Sequence, residues 1–91
     1  MYERIEIWKR VGSESVIRFQ CLRRASDGMF AVQNADYFRN PLSVSAVRSS
    51  DLRFVELLLD DDPDNRCDWY SSLSEAISRH EQDFEGMLEK P

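Results

Sequence analysis

Alternating apolar and polar positions run through the first 24 residues of the chain. In segment 2–11 the odd positions Ile5 and Ile7 are apolar, and in segment 15–24 Phe19 continues the same alternation. A period of two residues is typical of a strand with one buried face. The Gly-Ser-Glu tripeptide between the segments supplies a turn, so the sequence predicts an antiparallel hairpin.

A third strand is predicted over residues 29–38. It follows Ser26-Asp27-Gly28, in which glycine accepts the positive φ of a tight turn and aspartate closes a local side-chain turn. The alternation is blurred here, because apolar residues occupy both even and odd positions. This pattern indicates a strand that is covered on both faces.

Two helices are predicted after Pro41, which ends the sheet-forming part of the chain. The first covers residues 51–59, with polar positions spaced as on one helical face and a serine pair before it as candidate N-caps. Residues 42–50 are expected to form a short edge strand or a loop. The second helix begins with the capping box Ser72-Leu73-Ser74-Glu75 and covers about 14 residues. Gly86 is its predicted C-terminal stop, and its apolar face is formed by Leu73, Ile77, His80, Phe84 and Met87.

The order of elements predicts the α+β class. We expect one domain over residues 1–91, with an antiparallel sheet of three, possibly four, strands followed by two helices packed on one face. The aromatic pair Trp69-Tyr70 lies just before the last helix and is expected to anchor it to the sheet.

Charge is distributed unevenly along the chain. The net charge is -5, but residues 1–50 have a balance of +3 and residues 51–91 a balance of -8. No apolar run approaches the roughly 20 residues of a membrane-spanning helix. Charged residues at Glu3, Arg4 and Glu6 interrupt the place where a signal peptide has its apolar stretch, so we expect a cytoplasmic protein.

Catalytic and metal-binding chemistry have weak support. The candidate ligands Cys21, Cys67, Asp68 and His80 are not arranged in the close pairs that structural zinc sites use. His80 is the only histidine, and no nucleophile motif or phosphate-binding loop accompanies it. The sequence therefore predicts no cofactor, no metal and a function without catalysis.

The acidic second half favours protein binding. A run of carboxylates at the end of the first predicted helix can concentrate negative potential and attract a basic partner protein. The predicted docking residues are Glu56, Asp60, Asp61, Asp62, Asp64 and Asp68. A homodimer is a further expectation, because a three-stranded sheet leaves open edges that native proteins pair or cover.

Single-stranded nucleic acid is the alternative partner. If the alternation holds, the even face of the first hairpin places arginines beside aromatic rings, as sheet platforms for single strands do. The residues that would bind are Arg4, Trp8, Arg18 and Arg24. A sequence pI of about 4.8 weighs against this alternative, since nucleic-acid-binding domains are commonly basic.

Overall fold

The computed structural model describes residues 1–88 as backbone and the side chains of residues 1–83. The elements are, in chain order, β1 (Tyr2–Arg10), β2 (Ser15–Arg24), β3 (Phe30–Arg39), α1 (Val44–Asp60), α2 (Pro63–Arg66) and α3 (Leu73–Leu88). The α+β class is confirmed. A one-turn helix, α2, lies between the two helices that the sequence predicts.

The three strands form an antiparallel sheet in the order β1-β2-β3, as predicted. Phe19 at the centre of β2 lies opposite Ile7 on one side and Ala35 on the other. Gly28 adopts φ 71° in the second hairpin turn, and Asp27 accepts a hydrogen bond from the Met29 backbone N–H at 3.1 Å. The turn chemistry read from the sequence is thereby confirmed.

Helices α1 and α3 pack on opposite faces of the sheet. Successive side chains of a strand point to opposite faces, so Arg18 and Phe19 lie on different sides of β2. Arg18 contacts Asp51 of α1, whereas Phe19 contacts the His80 ring of α3. The prediction that the helices share one face is wrong, because both faces of β2 are buried and each needs its own cover.

Helix α1 begins at Val44, seven residues before the predicted start. Its N-cap is Ser43, whose hydroxyl accepts a hydrogen bond from the Ala46 backbone N–H at 3.3 Å. The predicted edge strand or loop over 42–50 is therefore largely helical. Ser49 and Ser50 are interior residues of α1 rather than its caps.

A bulge in β3 explains the blurred alternation of that strand. The pairing register with β2 shifts between Gln20 and Cys21, which leaves Gln33 as an extra residue of β3. The Gln33 side chain donates to the Phe54 carbonyl of α1 at 3.0 Å and accepts from Arg66 of α2 at 2.7 Å. The bulge thus directs the Gln33 side chain toward α1 and α2, and Gln33 forms hydrogen bonds with both helices.

Among the described residues the sheet has three strands, and an isolated bridge pairs Tyr70 with Phe30 beside β3. The predicted N-cap of α3 is confirmed, because the Ser72 hydroxyl accepts a hydrogen bond from the Glu75 backbone N–H at 3.1 Å. Helix α3 runs to Leu88, beyond the stop predicted at Gly86. The apolar positions predicted at Phe84 and Met87 lie outside the described side chains.

Candidate functional site

Four predicted docking residues have exposed side chains, and we call them together the acidic surface: Glu56, Asp60, Asp61 and Asp68. They lie on the last turns of α1 and on the segment around α2. None of the four forms an ion pair with another described residue. The C-terminal end of α1 adds the negative end of its helix dipole to these charges.

The other two predicted docking residues, Asp62 and Asp64, are engaged within the chain. The Tyr2 hydroxyl donates to both carboxylates, at 2.6 and 2.9 Å, and Arg24 pairs with Asp64 at 3.0 Å. Asp62 also caps α2 by accepting from the Asp64 backbone N–H. Hydrogen bonding from Tyr2 lowers the pKa of Asp62, and the same contact raises the pKa of the Tyr2 phenol. These contacts attach the start of α2 to strands β1 and β2 of the sheet.

Trp69 completes this attachment. Its ring stacks on Tyr2 with centroids 5.9 Å apart, and the Arg24 guanidinium lies 4.4 Å from the indole centroid. The indole N–H donates to the Pro63 carbonyl at 3.3 Å. The sequence analysis predicted an anchoring role for Trp69, but it did not identify Tyr2 as the partner, because 67 positions separate the two residues.

The exposed side of α1 carries an apolar row that the sequence analysis missed. We call it the α1 stripe, and its members remain between 49% and 80% exposed: Val44, Leu52, Val55 and Leu59. Their spacing places them on one side of the helix, with the exposed Arg48 in the same row. Contiguous apolar surface of this kind is characteristic of interaction sites.

The arginines of the predicted nucleic-acid face lie under α1 or in ion pairs. Arg4 pairs with Glu6 at 2.8 Å and stacks on Phe54 of α1, 4.4 Å from the ring centroid. Arg24 pairs with Asp27 at 2.7 Å, in addition to its contacts with Asp64 and Trp69. The sheet face is therefore not open as predicted, because α1 covers its central part.

Arg18 is the most buried of these arginines, at 4% exposure. It pairs with Asp51 at 2.9 Å and donates to the Ser50 hydroxyl, which in turn donates to Asp36 at 2.6 Å. The guanidinium also contacts the rings of Trp8 and Phe38, at 5.3 and 5.2 Å from their centroids. Arg18 therefore belongs to a polar core between the sheet and α1.

Trp8 lies beside this core and is half exposed. Binding of single-stranded nucleic acid stays a prediction, and tryptophan fluorescence can test it. Because Arg4, Arg18 and Arg24 have carboxylate partners in the chain, we expect no salt-dependent quenching of tryptophan fluorescence on titration with single-stranded oligonucleotides. A Trp69→Phe variant isolates the Trp8 signal. Quenching that weakens as salt increases would instead support the alternative partner.

His80 lies beside a cavity of about 130 Å³ on the α3 side of the sheet. Its ring meets Phe19 edge-on, with centroids 6.1 Å apart, and it makes no hydrogen bond with another described residue. Asp68, Tyr70 and Asp83 also line the cavity. A general base needs an orienting partner and a group to deprotonate, and among the described residues His80 has neither in hydrogen-bond contact.

Burial lowers the pKa of His80, with Asp83 and Glu81 opposing the shift. Because the folded-state pKa is below the ordinary value of about 6.5, the unfolded chain takes up this proton first as pH falls. We expect the free energy of unfolding to decline from about pH 7 to pH 5.5, and a His80→Gln variant to show a flatter profile. Urea unfolding of the native chain and of the variant across this pH range measures the two profiles. An equal pH dependence of the free energy of unfolding in the two proteins would contradict the assignment of this effect to His80.

The two cysteines are free and buried to different extents. Cys21 is fully buried beneath the α3 side of the sheet, and burial raises its pKa to about 11. Cys67 is half-buried, and desolvation raises its pKa as well. Among the described residues, no group of three His, Cys, Asp or Glu side chains is placed to hold a metal ion.

Comparisons with known proteins identify no family for this chain. No family model, curated protein or solved structure matches the chain. None of the described helices has the length and apolar character needed to cross a membrane. Function is therefore argued from the geometry alone.

Proposed function

We propose that this chain is a non-catalytic protein-binding domain that docks a basic partner protein through the acidic surface. One observation carries the proposal. The four carboxylates of the acidic surface are exposed and have no cationic partner among the described residues, whereas Arg4, Arg18 and Arg24 already have carboxylate partners. The negative potential of these carboxylates is therefore available to a partner.

The attachment through Tyr2, Arg24 and Trp69 supports the proposal. These contacts hold the segment around α2 against the sheet and so fix the position of the neighbouring carboxylates. A pre-positioned surface binds with a smaller loss of conformational entropy than a mobile one. The proposed domain acts in the cytoplasm, as the sequence analysis predicts, and serves as an adaptor or regulator of its partner.

Affinity capture from an extract of the source cells tests the proposal. The bait pair is the native chain and a variant with Asp60, Asp61 and Asp68 changed to asparagine. The matched control removes three exposed charges elsewhere through Glu3→Gln, Glu14→Gln and Glu75→Gln. We expect the native chain and the control to retain a basic protein that the asparagine variant loses. Equal recovery by all three baits would exclude the acidic surface as the docking site.

A further inference from the structure

The α1 stripe has the spacing of a helix–helix seam. Arg48, Leu52, Val55 and Leu59 follow one another at intervals of four, three and four residues, and Val44 precedes them by one turn. Alternating intervals of three and four keep side chains on the side of a helix that faces a neighbouring helix. The opposite side of α1, around Phe54, already packs on the sheet. The stripe is thus a second apolar face without cover among the described residues.

We propose that a second copy of this chain covers the stripe, with the two α1 helices antiparallel. In a two-fold pairing centred between Leu52 and Val55, each Leu52 lies opposite Val55 of the other copy. Arg48 then lies opposite Leu59 of the other copy, near Glu56, which lies one turn from Leu59 on that copy. Two such ion pairs form by symmetry, one at each end of the seam.

The charge order along α1 selects this partner and this direction. Arg48 lies in the first half of the helix, and Glu56 and Asp60 lie in the second half. A parallel pair would place like charges together, whereas an antiparallel pair places opposite charges together. A uniformly basic partner helix would meet Arg48 with like charge in the middle of the apolar row. A second copy supplies a carboxylate at that position.

The net negative charge of each copy does not oppose this arrangement strongly. A helix of 17 residues is about 25 Å long, so the antiparallel direction places the two acidic segments at opposite ends of the seam. That separation is well beyond the screening length of about 8 Å at physiological salt. Asp60, Asp61 and Asp68 stay outside the seam, so the dimer and the proposed docking of a basic protein are compatible.

A seam of one helix per copy is smaller than a standard protein interface, so the dimer is expected to be reversible, with a Kd on the order of 10–100 µM. Sedimentation equilibrium over a concentration range that brackets this value measures it. Leu52→Glu places a charge in the seam and should leave the chain monomeric. Leu42→Glu is the matched control, because Leu42 is equally exposed but precedes α1, and this variant should dimerise like the native chain.

Charge exchange tests the direction of pairing. Arg48→Glu and Glu56→Arg should each weaken the dimer about tenfold by placing like charges together, and the double variant should recover most of the loss. Circular dichroism verifies that each variant is folded. A native chain that stays monomeric throughout, a dimer insensitive to Leu52→Glu, or a double variant weaker than both single variants would overturn the proposal. Because capture of a basic protein is measured separately, either proposal can fail without the other.

Discussion

Replacing Arg18 by alanine is expected to lower the free energy of unfolding by about 3 kcal/mol, since a buried charge pair loses one partner. The change removes the Asp51 and Ser50 contacts of the guanidinium and opens space between Trp8 and Phe38. Asp51 is half exposed and recovers part of its hydration, which places the expected cost at the lower end of the range for broken buried pairs. Urea unfolding of both proteins measures the difference.

Arg39→Ala is the matched control for this prediction. Arg39 is an exposed arginine at the end of β3 and forms no ion pair with another described residue, so its removal should change stability by less than about 0.5 kcal/mol. If both variants lose the same small amount, Arg18 is not part of a cooperative core between the sheet and α1.

Replacing Phe54 by alanine is expected to destabilise the chain by about 3–4 kcal/mol, as deletion of a buried aromatic ring does. Phe54 is 5% exposed and supports the Arg4 guanidinium on its ring. It is the buried apolar residue of α1, so its loss also loosens the helix that presents the α1 stripe. Thermal or urea unfolding at a protein concentration well below the proposed dimer Kd gives the value.

Val55→Ala provides the comparison one position further along α1. The Val55 side chain is about half exposed, and truncating it should cost less than about 0.5 kcal/mol in the monomer. A loss for Val55→Ala as large as that for Phe54→Ala would mean that the exposed side of α1 has been assigned incorrectly.

Local signals in the sequence predict the strands and the start of α3. The alternation around Ile7 and Phe19, the Asp27-Gly28 turn and the capping box at Ser72 each act within a few residues, so they can be read without tertiary information. The start of α1 could not be read in this way. Its first half contains valines and serines, which have low helix propensity, and Ser49 has the residue type of a cap without occupying that place.

The sequence pattern does not show which face of the sheet each helix covers. Arg18 and Gln20 are polar residues on alternate positions, and this pattern normally indicates a solvent-exposed sheet face. Both are buried because α1 supplies Ser50, Asp51 and Phe54 to cover that face. For the same reason the sequence analysis placed the polar residues of the first predicted helix on one face but did not divide its apolar residues into buried and exposed sides. Leu52 and Leu59 belong to the exposed side.

The acidic surface was predicted in part. Composition indicated the six carboxylates, but it could not separate Asp62 and Asp64, which accept hydrogen bonds from Tyr2, from the four that form no ion pair with another described residue. This distinction depends on contacts between residues that are about 60 positions apart in the chain. It also determines which carboxylates should be mutated, because neutralising Asp62 would disturb the cap of α2 as well as the surface charge.

The central claim is that the acidic surface binds a basic protein, and the most direct measurement is the Kd of a purified captured partner. Titration calorimetry at low and at physiological salt compares the native chain with the Asp60, Asp61 and Asp68 asparagine variant. We expect the variant to bind at least about tenfold more weakly and the native affinity to fall as salt increases. An unchanged Kd for the variant, with no dependence on salt, would contradict the claim.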